Sequence, residues 1–183
     1  MILTESMLYE AAREAEKYSQ YKFNKVRFDA SERYDLFISH SFKDRDLVNG
    51  LYYLFQRAGY KVYVDWIDDS NLDRMSVTPE TAAIIRKRIS SSKGLAYIAT
   101  GNTTTSKWCP WELGVSDGMY GKACILPVMR GAFKGQEYLG LYPYLRYHAP
   151  IVSGAIKSDF FVWNQSNTAH VVLSDWLAGK ALP

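Results

Sequence analysis

Tyr34-Asp35-Leu36-Phe37-Ile38-Ser39-His40-Ser41 decides the fold class. A short apolar run closed by a polar turn reads as a buried strand feeding a loop. The helical pattern that follows, Lys43 to Ala58, has Leu47, Leu51, Leu54 and Phe55 on one face and Gly59 as its stop. Tyr60 to Val64 then reads as a second strand. Strand, helix, strand is the unit of a parallel sheet covered on both faces.

Further along the chain the unit repeats. Asp65 to Val77 is a long polar loop, a kind that compact domains usually keep for function. Thr78-Pro79-Glu80 starts a helix, with a hydroxyl cap and proline in the first turn, that runs to about Ser90. Gly94–Ala99 is a third strand, ending in the hydroxyl-rich Thr100-Gly101-Asn102-Thr103-Thr104-Thr105. Ala123–Val128 is a fourth, and Pro127 suggests an edge or a strand end. Arg130 to Pro150 resists assignment. Phe160–Trp163 is a fifth strand and Thr168 to Leu177 a closing helix, with Val171, Val172, Leu173 and Trp176 inward. Upstream, Thr4 to about Ser19 has Leu8, Ala11, Ala12 and Ala15 at helical spacing. The expectation is an α/β, three-layer, flavodoxin-like fold. A central parallel sheet of about five strands carries helices on both faces, with an N-terminal helix added. Residues 1–30 form the helical extension and residues 31–183 the domain.

In such sheets ligands bind outside the carboxyl ends of the strands. The segments there are Ser39-His40-Ser41, Asp65-Trp66, Thr100-Gly101-Asn102 and Ser106-Lys107-Trp108-Cys109-Pro110-Trp111-Glu112-Leu113-Gly114. In the last, Ser106 can accept a bond from a free helix-start N–H, and Pro110 is tolerable only in a first turn. Trp108 and Glu112, four apart, share a face. Glu112 lies by the positive end of the helix dipole, which favours a carboxylate. A flat aromatic beside a carboxylate suits a ligand with a planar ring and developing positive charge. The plain alternative is a capped helix with tryptophan anchors and a solvated acid. His40 suits either a ligand hydroxyl or phosphate, or a backbone bond in its turn. Trp66 suits a stacking platform or a loop anchor, and Asp65 a ribose or its own loop. Asp73 and Arg74 read as an exposed pair. Cys109 has no histidine placed to activate it and reads as a structural thiol.

The chain has 183 residues, 48% hydrophobic and 22% charged, as in an ordinary soluble domain. A net charge of +3 is too small to argue for nucleic acid or an anionic membrane. Two cysteines make neither a metal-ligand spacing nor a disulfide framework, which fits a reducing cytoplasm. No signal peptide is legible, and no apolar run approaches the ~20 residues that span a bilayer.

With these residues assembled, the sequence from Tyr34 to Trp176 resembles the Toll/interleukin-1 receptor (TIR) domain family. Asp35-Leu36-Phe37-Ile38-Ser39 is similar to the family's opening box, and the loop after Val64 falls where the family has its BB loop. The Trp108–Glu112 spacing matches the Trp-x-x-x-Glu of the NAD-cleaving branch. The resemblance implies an NAD+ nucleosidase or ADP-ribosyl cyclase with Glu112 as the catalytic glutamate. It implies that Trp108 stacks on a base and that Phe37, Ser39, His40, Ser41, Asp65 and Trp66 line the pocket. NAD+ is then substrate; no cofactor and no metal are expected. A standalone chain of this size also resembles the TIR component of Thoeris-type antiphage systems, which implies TIR–TIR self-association and a separate effector reached through the nucleotide product. The competing readings are a non-catalytic interaction module, which needs neither Trp108 nor Glu112, and a nucleoside deoxyribosyltransferase-like enzyme.

Overall fold

The computed structural model describes residues 1–17, 31–68, 77–129, 137–149 and 158–183. The strand predicted first, β2, Tyr34–Ser39, enters a short 3-10 turn at Phe42–Asp44 and then helix α2, Arg45–Ala58. Gly59 ends α2 in the left-handed region at φ 91°, where a side chain would be strained. β3 is Val62–Tyr63, and a four-residue helix α3, Asp65–Asp68, opens the expected long loop. Residues 69–76 of that loop, with Asp73 and Arg74, lie outside the described residues. α4, Pro79–Ser90, is capped by Thr78, whose hydroxyl accepts from the Thr81 N–H, as its sequence predicts. β4 is Ser92–Ala99, α5 Cys109–Tyr120, β5 Ala123–Met129, β6 Tyr144–His148, β7 Asp159–Trp163, β8 His170–Val172 and α6 Leu173–Leu177.

Among the described residues the sheet has eight strands: seven in the order β3-β2-β4-β5-β6-β7-β8, and one, β1, Leu3–Thr4, that pairs with β5 off this path. From β3 to β6 every pair is parallel; β7 and β8 are antiparallel additions. The expected three layers and parallel centre are there, and the strand count of about five is corrected upward. The closing helix from Thr168 is also corrected. Val171 and Val172 are β-branched and pair with β7 instead, which leaves α6 one short turn beyond them. Pro127 lies inside β5 rather than on a sheet edge. Among the described residues β5 meets β6 at Ile125 and β1 at Val128 and Met129, so Pro127, which has no N–H to donate, falls between the two pairings.

The N-terminal helix α1, Glu5–Lys17, is preceded by a strand the sequence did not suggest, β1, Leu3–Thr4. β1 pairs in parallel with Val128 and Met129 on the β6 side of β5. α1 then lies along α2, so close that a Cβ on Gly50 would sit 1.9 Å from the Leu8 carbonyl oxygen.

Two cores result. Leu36, Ile38, Ala96, Ile98 and Leu126 point to α1 and α2, meeting Leu8, Leu51 and Phe55. Phe37, Leu95, Tyr97, Ala99 and Ile125 point the other way, meeting Ile85 and Ile89 of α4 and Cys109 and Leu113 of α5. Each of these fully buried aliphatic side chains contributes roughly 1.5–3 kcal/mol relative to exposure.

Candidate functional site

The site grows from the last residue of β2. Ser39 follows Phe37 by two, so it shares the α5 face of the sheet. Opposite it, α5 brings Glu112 in from its first turn. The Ser39 hydroxyl donates to Glu112 Oε2 at 2.6 Å, and both residues are 0% exposed. That length is typical of an O–H donor facing a carboxylate. Two devices hold the start of α5. Ser106 Oγ accepts from the Cys109 N–H at 3.2 Å, as the sequence suggested, although the helix itself begins three residues later. Trp108 is driven into the core, edge-on to Trp111 at 5.4 Å between ring centroids, with the Arg86 guanidinium over Trp111. Of the plain alternative, the tryptophan anchor is found and the solvated acid is not. Glu112 is buried, and Trp108 acts as an anchor in this state.

Phe37 is equally buried and stacks on Tyr63 at 5.1 Å, forming the floor behind Ser39. Next in the chain, His40 belongs to a second group. Its Nδ1 lies 2.9 Å from the Ile38 carbonyl, and its Nε2 lies 3.4 Å from Asp65 Oδ1. Trp66 packs edge-on against the imidazole at 4.6 Å and carries the Arg45 guanidinium on its ring. Asp65 also accepts from the Trp66 N–H, which fixes the start of α3. Ser41 Oγ accepts from the Lys43 N–H and caps the 3-10 turn. Thus the eight sequence-selected residues form two clusters joined at Ser39-His40: Phe37, Ser39, Trp108 and Glu112 behind, and His40, Asp65 and Trp66 at the rim, with Ser41 capping the turn.

Asp44 escaped the sequence reading. It is buried, and its carboxylate accepts from the Thr100 hydroxyl at 2.6 Å and from the Asn102 side-chain amide. Thr100 and Thr103 exchange two further bonds, so the hydroxyl-rich turn after β4 is fastened to the turn after β2. The signal was available: a turn with four threonines and an asparagine needs partners for whichever of those side chains it buries, here Thr100 and Thr103.

Asp68, at the end of α3, is also buried. Burial raises its carboxyl from the usual aspartate range to about 6, against the pull of the Val64 N–H and the Tyr34 hydroxyl, while Glu32 raises it further and Lys61 lowers it. The same surroundings push the Tyr34 phenol far up and Tyr52 up to about 12. Cys109 is fully buried, and burial likewise pushes the Cys124 thiol well up.

A buried carboxylate aimed at a strand's carboxyl end, between β2 and β4 where the sheet order reverses, is a ligand site of the flavodoxin-like plan. Residues 36–152 match the family model for the TIR domain, and the chain belongs to that family. Its relatives include the probable 3' cyclic ADP-D-ribose synthase ThsB' of Bacillus cereus (strain MSX-D12). The two are 46% identical over 157 residues, covering 82% of this chain and 78% of that one. The putative cyclic ADP-D-ribose synthase TIR2 of Cytobacillus dafuensis is 37% identical over 84 residues, 45% of this chain and 22% of its own length. Among solved structures, the TIR domain of the Toll-related receptor TRR-2 of Hydra magnipapillata superposes with a TM-score of 0.47 at 23% identity, over 61% of this chain and 82% of that one. Among the described residues no helix is long and apolar enough to cross a membrane.

Proposed function

We propose that this TIR domain cleaves the nicotinamide–ribose bond of NAD+ and closes the remainder into a cyclic ADP-ribose, with Glu112 as the catalytic group. The observation that carries the reading is the buried Glu112 carboxylate, held at 2.6 Å by Ser39 at the switch point of the sheet. The names of the two cyclic ADP-D-ribose synthases support the product class.

The chemistry suits one carboxylate. Glycosidases generally need a second carboxyl to protonate the leaving oxygen. In NAD+ the bonding pair passes to a ring nitrogen that is already cationic, so nicotinamide leaves as a neutral base and no acid is required. The ribose becomes oxocarbenium-like, and a fixed carboxylate in a dry site stabilises that charge. A hydroxyl or ring nitrogen of the same molecule then attacks the anomeric carbon, and where the attacking atom carries a proton it is lost as the ring closes. Water in its place gives ADP-ribose. The steps call on no cofactor. Because Glu112 is closed off in this structure, substrate entry requires the carboxyl-edge turns to part. His40, Asp65 and Trp66 stand at that rim, suited to the nucleotide's polar and aromatic parts. The proposal extends to TIR–TIR assembly as the active form and to a separate effector that reads the product.

The test is nicotinamide release by the purified protein at low and high concentration, beside Glu112→Gln. The expected result is release that rises more than linearly with protein and falls at least a thousandfold in the variant, with a cyclic nucleotide as co-product. Failure of wild-type protein to release nicotinamide even when forced to assemble would overturn the enzyme reading in favour of an interaction module.

A further inference from the structure

Glutamate has three side-chain torsions, and fixing them costs on the order of 1.5–2 kcal/mol of rotamer freedom. A carboxylate that stabilises charge at one position therefore needs something to hold it. α5 fixes the Glu112 backbone through Ser106 and Trp108, and the direction of the carboxylate depends on what its oxygens bond. Ser39 is one such partner. It is the final residue of a central strand, paired with Tyr97 of β4, and has a single torsion of its own. A donor carried on a strand between two neighbours is placed more firmly than one on a loop. The 2.6 Å bond is wholly buried, so water does not compete for either partner.

We infer that Ser39 is a positioning residue for Glu112, acting on the reaction through the carboxylate and not by contact with the substrate. The assignment rests on the catalytic reading of Glu112 above, and it changes the role the sequence gave Ser39. A hydroxyl has one proton. In this geometry that proton is committed to Glu112, so Ser39 has none to offer a sugar hydroxyl or phosphate. Its lone pairs add no attraction for an anionic dinucleotide.

The experiment compares Ser39→Ala and Ser39→Thr with wild type. Loss of one buried bond to a charged acceptor corresponds to about a 10- to 100-fold fall in kcat for Ser39→Ala. KM and the Kd for carba-NAD+, whose carbocyclic ribose cannot be cleaved, should stay within about threefold. Ser39→Thr, which keeps the hydroxyl, should recover most of kcat. A Ser39→Ala variant that loses carba-NAD+ binding in step with kcat, or that loses nothing, overturns the inference.

A second readout does not depend on turnover. The carboxyl carbon resonance of Glu112, identified by its absence in Glu112→Gln, should shift in Ser39→Ala, which removes the bond to Oε2. An unmoved resonance overturns the positioning role whatever the activity. A moved resonance in a protein that never releases nicotinamide supports the bond and sinks the enzyme reading alone.

Discussion

Leu36 and Ile38 leave β2 toward α1 and α2; Phe37 and Ser39 leave it toward α5. On the first side the neighbours are aliphatic and aromatic groups, packed so tightly that one helix accepts only glycine against the other. On the second side the strand ends meet Glu112 and, one turn further along α5, the Ser116 hydroxyl, buried with no hydrogen-bond partner among the described residues. Tyr34, Tyr63 and Tyr97 bury three phenols on this side. Burying polar groups costs free energy that burying aliphatic ones returns. One strand thus spends alternate residues on stability and on chemistry. The chemical side is tolerable because the other side is so apolar.

The contrast can be broken at four points. Glu112→Gln should remove at least a thousandfold of activity while thermal unfolding moves by only a few degrees. A collapse of Tm with the activity would make Glu112 part of the packing instead. On the opposite face, Gly50→Ala drives a Cβ into the Leu8 carbonyl and should cost about 3 kcal/mol or more, read as a fall in denaturant midpoint. An unchanged midpoint would mean that α1 can retreat without loss. Asp44→Ala strands the Thr100 hydroxyl and the Asn102 amide and should cost about 2–3 kcal/mol. If instead only kcat falls, the turn is held by its threonines alone.

The smallest effect concerns Asp68. Its folded carboxyl keeps a proton up to about pH 6, whereas an unfolded aspartate releases it near 4. Its contribution to stability is therefore full below about pH 4 and is lost as pH rises through about 6. Asp68→Asn should flatten that fall, so that variant and wild type diverge by on the order of 1–3 kcal/mol between pH 4 and pH 6. Parallel Tm-against-pH curves would remove Asp68 from the account.

Periodicity and punctuation carried most of the fold. The Leu47–Phe55 stripe with Gly59, and Thr78-Pro79, are local signals, and the structure keeps α2 and α4 close to where those signals put them. The misses share a cause. β6 and β8 are only five and three residues long, too short for an alternating pattern of their own to mark them. Val171, Val172, Leu173 and Trp176 fit a helical stripe as well as a strand followed by a turn. At the site, residue types were legible but connections were not. Ser39 and Glu112 are 73 residues apart, and only the sheet order brings them together. Asp44 looks like an exposed helix-start acid until Thr100 and Asn102 are seen to close over it.

The pairing of β1 with Val128 and Met129 has a temporal side. Synthesis runs from the N-terminus, so Leu3 and Thr4 leave the ribosome more than a hundred residues before their partners exist. At roughly 5–20 residues per second, that is a wait of several seconds or longer. α1 must spend it docked on α2 alone or unpaired, with Leu8 exposed to whatever else is in solution. A segment made well before its partners is thus among the last to reach its place. Insertion of β1 beside β5 works as a completion step, which the chain can take only after most of its sheet is made.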